Sequence, residues 1–175
     1  MKLFHLSDLH IGKRVNEFSM IEDQKYILER ILDLAEKEKP DGVILAGDIY
    51  DKQIPSAEAV QVFDEFITKL AERKLPVFVI SGNHDSAERL AFGGRLLNSR
   101  GIYLSPVYDG TVMKIPIADQ YGTVWIHLLP FIRPAAVRRR FGVRPGLGVQ
   151  ACGPDRQPLL RSAGCRQLPG VHRPI

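Results

Sequence analysis

Two cysteines among 175 residues are too few for a disulfide framework, which excludes the small cross-linked secreted scaffolds and points to a reducing compartment. Long apolar runs are missing too, and nothing approaches the ~20 consecutive residues that a bilayer-spanning helix requires. The opening "MKLFHLSDLH" has neither the apolar core nor the small-residue cleavage site of a secretory leader. A cytoplasmic protein with no membrane association is therefore expected. Lysine is missing from one region only: all nine precede residue 139. Through Arg138 there are 17 Lys+Arg against 19 Asp+Glu, whereas from Arg139 onward 7 Arg face the single acid Asp155. The net charge of +4 thus belongs to the last 37 residues, and the remainder offers no charge argument for nucleic-acid binding.

What is present is an alternation of strands and helices. Residues 2–7, "KLFHLS", read as a short buried strand. "FSMIEDQKYILERILDLAEKEK" places Ile21, Ile27, Leu28, Ile31, Leu32, Leu34 and Ala35 at amphipathic helical spacing. Pro40 and Gly42 punctuate, and "VILA" follows as a β-branched strand. Ser56 is placed to cap a second helix, "AEAVQVFDEFITKLAERK", and "LPVFVIS" is a third strand. A third helical stretch, "SAERLAFGGRLLNSRG", is interrupted by Gly93 and Gly94, with Ser86 as its cap. "TVMKIPI" and "TVWIHLLPFI" then read as strands joined by a turn around Asp119–Gly122. The spacing predicts βαβ units with parallel strands covered on both faces, followed by a second sheet or an antiparallel edge. There is no internal repeat.

Residues 139–175 differ from the rest. They hold six Gly, five Pro and both Cys, without helical or strand periodicity. This composition reads as a disordered basic tail, and its Arg/Gly/Pro-rich, lysine-free character is that of GC-rich DNA translated in a shifted frame. Two segments are expected: a folded part over 1–138 and this tail. Cys152 and Cys165 are too far apart and too poorly accompanied for a zinc site.

The chemistry gathers at strand ends. Asp8 and His10 follow the first strand, Asp48 and Asp51 the second, and Asn83, His84 and Asp85 the third. In open α/β sheets the residues just past the carboxyl ends of neighbouring strands converge on one crevice. So many acids in one crevice would repel one another and be poorly solvated, a conflict that divalent cations remove. Mixed Asp, His and Asn donors suit Mn²⁺, Fe²⁺ or Zn²⁺ better than a Ca²⁺ cage. A two-metal site would clamp a phosphate, with Asp48 as the bridging carboxylate. Taken singly, Asp8 serves equally well as a turn residue, Asp48 and Asp51 could merely begin a loop, and His5 reads as structural. The three clusters together are harder to attribute to coincidence.

"DLH" (8–10), "GDIYD" (47–51) and "GNHD" (82–85) resemble the first three motifs of the calcineurin-like metallophosphoesterases, in order and spacing. "LFHLSDLHIGK", "AGDIYDKQIPSAEAVQVFDEFI" and "LLPFIRPAAVRR" narrow the resemblance to the SbcD-type nucleases of that family, over residues 1 to about 138. The resemblance implies an α/β fold in which a β-sandwich is flanked by helices. It implies two divalent metal ions, most often Mn²⁺, with Asp8 and His10 on the first, Asp48 bridging and Asn83 on the second. His84 would contact the scissile phosphate, stabilising the transition state or protonating the leaving oxygen, and would be held in place by a hydrogen bond to Asp51. The activity implied is 3′-to-5′ double-strand exonuclease and single-strand endonuclease action on DNA in break processing, recombination and replication. The implied partners are an SbcC-like ATPase of the SMC type and a second copy of the nuclease chain.

The family pattern also has a later His and a Gly-His-x-His motif, which this sequence lacks. His127 sits among apolar strand residues and His172 in the tail, and neither matches. The C-terminal half of the domain is thus expected to be missing and activity to be impaired. Two other readings stand beside this one: another phosphoesterase of the same family, such as a phosphatase or cyclic-nucleotide phosphodiesterase, and a truncated product without independent function.

Overall fold

A computed structural model of the chain describes residues 1–141. The chain enters through β1 (Leu3–Leu6), then makes a small hairpin from β2 (Arg14–Val15) and β3 (Phe18–Ser19). The two turn residues, Asn16 and Glu17, both have positive φ (46° and 68°), which matches the twist of a two-residue hairpin. Phe18 and Ser19, helical by sequence pattern, are taken by this hairpin, and α1 (Ile21–Glu38) begins after it. Glu22 and Asp23 in its first turn and Lys37 in its last complement the helix dipole. Lys39 turns left-handed, and its N–H returns to the Ala35 carbonyl. β4 (Gly42–Ala46), α2 (Ala57–Glu72) and β5 (Val77–Ile80) follow.

Ser56 caps α2, its hydroxyl accepting from the Ala59 N–H at 3.2 Å. Ser56→Ala is expected to cost about 1 kcal/mol, seen as a lower urea midpoint at unchanged m. An unchanged midpoint would show that this end of α2 is held by packing alone.

The third helical stretch is broken, as its glycines suggest. It forms α3 (Ala87–Leu90), capped by Ser86, and α4 (Gly94–Leu97), with Gly93 left-handed between them. β6 (Ile102–Leu104) comes next, then the antiparallel pair β7 (Met113–Asp119) and β8 (Gly122–Leu128), and α5 (Pro134–Phe141). The sequence pattern announces neither β6 nor α5. Helix α5 runs through Phe141, across the boundary expected at 138. The rest of the expected tail, with Cys152, Cys165 and His172, lies outside the described residues.

Strands β1, β4, β5 and β6 form one parallel sheet in that order. Side chains alternate between its faces. Val43, Leu45, Val77 and Val79, each fully buried, join Ile102 and Leu104 in a core with the inner faces of α1 and α2. On the other face Phe78 is fully buried and stacks on Tyr103, their ring centroids 5.4 Å apart. This second core is covered by Ile115 and Leu128 of the β7–β8 pair. The architecture is therefore α/β, with helices on one face of a parallel sheet and a separate antiparallel pair on the other. His5 lies on edge strand β1 and is exposed, and His127 is exposed on β8 opposite Lys114. Among the described residues no helix is long and apolar enough to cross a membrane.

Candidate metal centre

Since β1, β4 and β5 are neighbours, the loops leaving their carboxyl ends lie side by side. Backbone pairing continues past the strands. Asp8 N–H donates to the Gly47 carbonyl (3.2 Å), His10 N–H to that of Asp48 (2.9 Å) and Ile11 N–H to that of Ile49 (2.9 Å). Asp8, His10 and Asp48 all have left-handed backbones, with φ of 55°, 43° and 49°. Asp and His tolerate this region better than most side chains, yet each such residue costs roughly 1–2 kcal/mol. Three of them at the mouth of one sheet are a concentration of strain of the kind found where side chains must be aimed.

The glycines explain how closely the loops approach. Gly47, at φ 85°, lies against Gly82, and a Cβ built on it would stand 3.0 Å from the Gly82 Cα. A Cβ on Gly82 would fall 2.0 Å from Asp48 Oδ1 and 2.3 Å from Asp48 N. The Asp48 carboxylate can therefore lie against the third loop, where its Oδ1 accepts from the His84 N–H at 3.0 Å.

His10, Asp48 and His84 come together, with one ligand atom from each lying within 4.8 Å of the others. His10 Nε2 stands 3.9 Å from both Asp8 Oδ1 and Asp48 Oδ2. That is too long for hydrogen bonds. It suits donors sharing one cation, because ligands held at ~2.1 Å from an ion stand roughly 3–4 Å apart. His10 Nδ1 is buried and has no hydrogen-bond partner. A divalent ion therefore fits this donor set on both its chemistry and its spacing. Asp8 is largely exposed at the edge of the cluster, and Asn83 is exposed on the loop between Gly82 and His84.

One expected role moves. The resemblance gives Asp51 the task of holding His84, but the bond to His84 Nδ1, at 2.9 Å, goes to the backbone carbonyl of Asp51. A carbonyl only accepts, so this nitrogen carries the proton and Nε2 faces away from the bond. The carbonyl, helped by the carboxylates of Asp48, Asp51 and Asp85, raises the His84 pKa above its ordinary value. The Asp51 carboxylate stands instead 3.8 Å from the unpartnered His10 Nδ1. At that separation it makes no hydrogen bond, and it lies behind the ring of a candidate metal ligand.

Two supporting roles escape a reading of the sequence. Gln24 of α1 clamps the first loop, its Oε1 accepting from Gly12 N–H (2.9 Å) and its Nε2 donating to the carbonyls of Leu9 (3.1 Å) and His10 (2.8 Å). The available signal is a polar residue on the apolar stripe, three after Ile21 and four before Leu28. Asp85, 4% exposed, does not join the ligand cluster. It accepts from three backbone N–H groups, of Ile49, Tyr50 and Gly82. Burial, followed by the nearby Asp85 charge, pushes the Tyr50 phenol up to about 12. Gln24→Ala is expected to weaken Mn²⁺ binding about 10- to 100-fold, as losses behind a metal ligand do, while the fold persists. Calorimetric titration reads this directly, and unchanged affinity would show that His10 needs no clamp.

Comparisons with known proteins agree with this geometry. The family described as "Calcineurin-like phosphoesterase" matches residues 1–142. The chain is 37% identical over 142 residues to the SbcD subunit of the SbcCD nuclease from Staphylococcus epidermidis, covering 81% of this chain and 37% of that protein. It is 36% identical over 132 residues to the SbcD subunit of the SbcCD nuclease from Staphylococcus saprophyticus, covering 75% of this chain and 34% of that protein. The chain thus spans about a third of the length of these curated relatives. With the family's motifs gathered around one cleft and its match running through the described fold, the chain belongs to the calcineurin-like phosphoesterases.

Proposed function

We propose that this chain binds two divalent metal ions, Mn²⁺ by preference, and hydrolyses phosphodiester bonds of DNA. One observation carries the reading: three loops from three neighbouring strands bring His10, Asp48 and His84 within 4.8 Å, on a backbone strained at Asp8, His10 and Asp48. Asp8, His10, Asp48 and Asn83 are the residues that would hold the metals. When bound, such ions neutralise phosphate charge and make water a better nucleophile at neutral pH. The chain's own groups do the rest. The Asp51 carboxylate stands behind His10 Nδ1, at 3.8 Å. His84 is anchored by the Asp51 carbonyl and keeps Nε2 available to the phosphate. With Nδ1 held by that carbonyl, the ring presents Nε2 to the phosphate and to the leaving oxygen.

DNA as substrate rests on the likeness to the SbcCD nucleases. By the same likeness we infer an SbcC-like SMC-type ATPase as partner, pairing of two nuclease chains, a cytoplasmic location, and exonuclease and endonuclease roles in break processing. Residues 1–138 carry the chemistry in this reading, and 139–175 do not. The test is cleavage of single- and double-stranded DNA with Mn²⁺, against hydrolysis of a small phosphomonoester under the same conditions. DNA cleavage that is abolished by EDTA and restored by Mn²⁺ is expected. Phosphomonoester hydrolysis alone would make the chain a phosphatase of the same family, and neither activity would make it an inactive product.

A further inference from the structure

A cleft of about 280 Å³ adjoins the candidate metal centre and shares Gly82 and Asp85 with its supporting loops. Much of its wall is apolar, from Val107, Phe131 and Ile132, and Tyr108 adds a second aromatic ring. Ser81, at the end of β5, lines it while only 2% exposed, and its hydroxyl oxygen, closed off from solvent, has no hydrogen-bond partner. Buried hydroxyls are rarely left in that condition, and this one can both donate and accept. The charged groups on the wall argue against an anion, because Arg133 is offset by Glu88 and Asp85. The combination of apolar and aromatic walls, a few polar groups and one unanswered hydroxyl suits a flat, neutral ring with a polar edge.

We propose that this cleft receives one unpaired nucleobase of the strand whose phosphate lies on the neighbouring His10–Asp48–His84 cluster, with the Ser81 hydroxyl rotating out to bond the base edge. The link to a phosphate rests on the proposed phosphodiesterase reading, whereas the base site rests on the cleft alone. An enzyme that grips the base beside the scissile bond favours frayed ends and single strands, where a base is free to leave the stack.

The probe is 2-aminopurine, whose emission is quenched on stacking. The full chain is titrated with the uncharged 2-aminopurine deoxyriboside in EDTA, and with a pentanucleotide carrying 2-aminopurine at its end, with and without Mn²⁺. Saturable quenching by the nucleoside is expected, weakened at least about five-fold in Ser81→Ala and in Ala136→Trp, which fills the cleft. Ser81→Ala removes an unpartnered hydroxyl and so is expected to unfold no more easily than the parent, which keeps the comparison between folded proteins. Absence of saturable quenching, or equal quenching in parent and both variants, overturns the base site. Binding of the strand more tightly than the nucleoside, in Mn²⁺ only, supports the link to the metal cluster. Nucleoside binding without that Mn²⁺ gain overturns the link to the metal cluster and leaves the base site standing.

Discussion

Gly82→Ala is expected to abolish Mn²⁺ binding in calorimetric titration and to lower the stability of the domain. The added methyl would stand 2.0 Å from Asp48 Oδ1 and 2.3 Å from Asp48 N, with Asp48 Cγ at 2.8 Å. Rotating the carboxylate would relieve the first contact, but the second is with backbone. That backbone is fixed on its other side by the His10 N–H bond to the Asp48 carbonyl. Relief therefore requires the loops after β4 and β5 to part, which also breaks the Asp48 Oδ1 bond to the His84 N–H. Overpacking of a well-filled site costs typically ~1–3 kcal/mol, and a backbone collision belongs at the upper end. The metal site suffers more than the fold, since its ligands come from the two loops being pushed apart. Gly47→Ala is milder by contact, at 3.0 Å from the Gly82 Cα, but it adds a side chain at φ 85°. A Gly82→Ala protein that binds Mn²⁺ as the parent does would show that Asp48 is not a ligand in this geometry.

The candidate ligand positions stand out in the sequence because they sit immediately after runs such as "VILA" and "VFVI", whose burial is unmistakable. Once those runs are strands of one parallel sheet, the residues past them have to converge. The residues that hold the ligands in place are far less visible. Asp85 bonds backbone groups 35 and 36 positions away as well as Gly82 three residues before it, so its own neighbourhood advertises a local turn and not the tie between two loops. Asp51 stands out in the sequence, but which of its groups meets which histidine depends on loop geometry that no spacing encodes. The apolar pattern of α1 suggests a broader buried stripe than the helix has. Ile27 and Leu34 are 54% and 48% exposed, and being seven residues apart they share one flank, about 100° round from Leu28. Three-residue β6 is too short to show a period, and "PAAVRRRF" merges by composition into the arginine-rich tail although it forms α5.

Asp85 makes a different prediction from the candidate ligands around it, since its oxygens are taken by backbone N–H groups. Its Oδ2 accepts from Ile49 N–H at 3.1 Å and Gly82 N–H at 2.8 Å, and its Oδ1 from Tyr50 N–H at 3.0 Å. Ile49 is fully buried, so its N–H has no route to bulk water when the carboxylate is removed. Leaving a buried donor unpaired costs about 1–3 kcal/mol, and Asp85→Ala leaves one buried donor, of Ile49, and two part-buried ones, of Tyr50 and Gly82. Some water will enter the space vacated by the side chain, so a loss of roughly 3–5 kcal/mol is expected, a large share of the ~5–15 kcal/mol that stabilises an ordinary domain. Asp85→Asn should be intermediate. An amide that keeps its oxygen at the Oδ2 position still serves Ile49 and Gly82, but turns a donor towards the Tyr50 N–H. Urea unfolding in EDTA should therefore rank parent above Asn above Ala, with no metal present to contribute. Removal of a metal ligand instead relieves crowding among the carboxylates of the cleft when no cation is bound, so Asp48→Ala should be more stable than Asp85→Ala in EDTA. If Asp85→Ala unfolds at the parental urea midpoint while Mn²⁺ affinity collapses, Asp85 belongs with the ligands, and the loops after β4 and β5 are joined by the metal and not by its carboxylate.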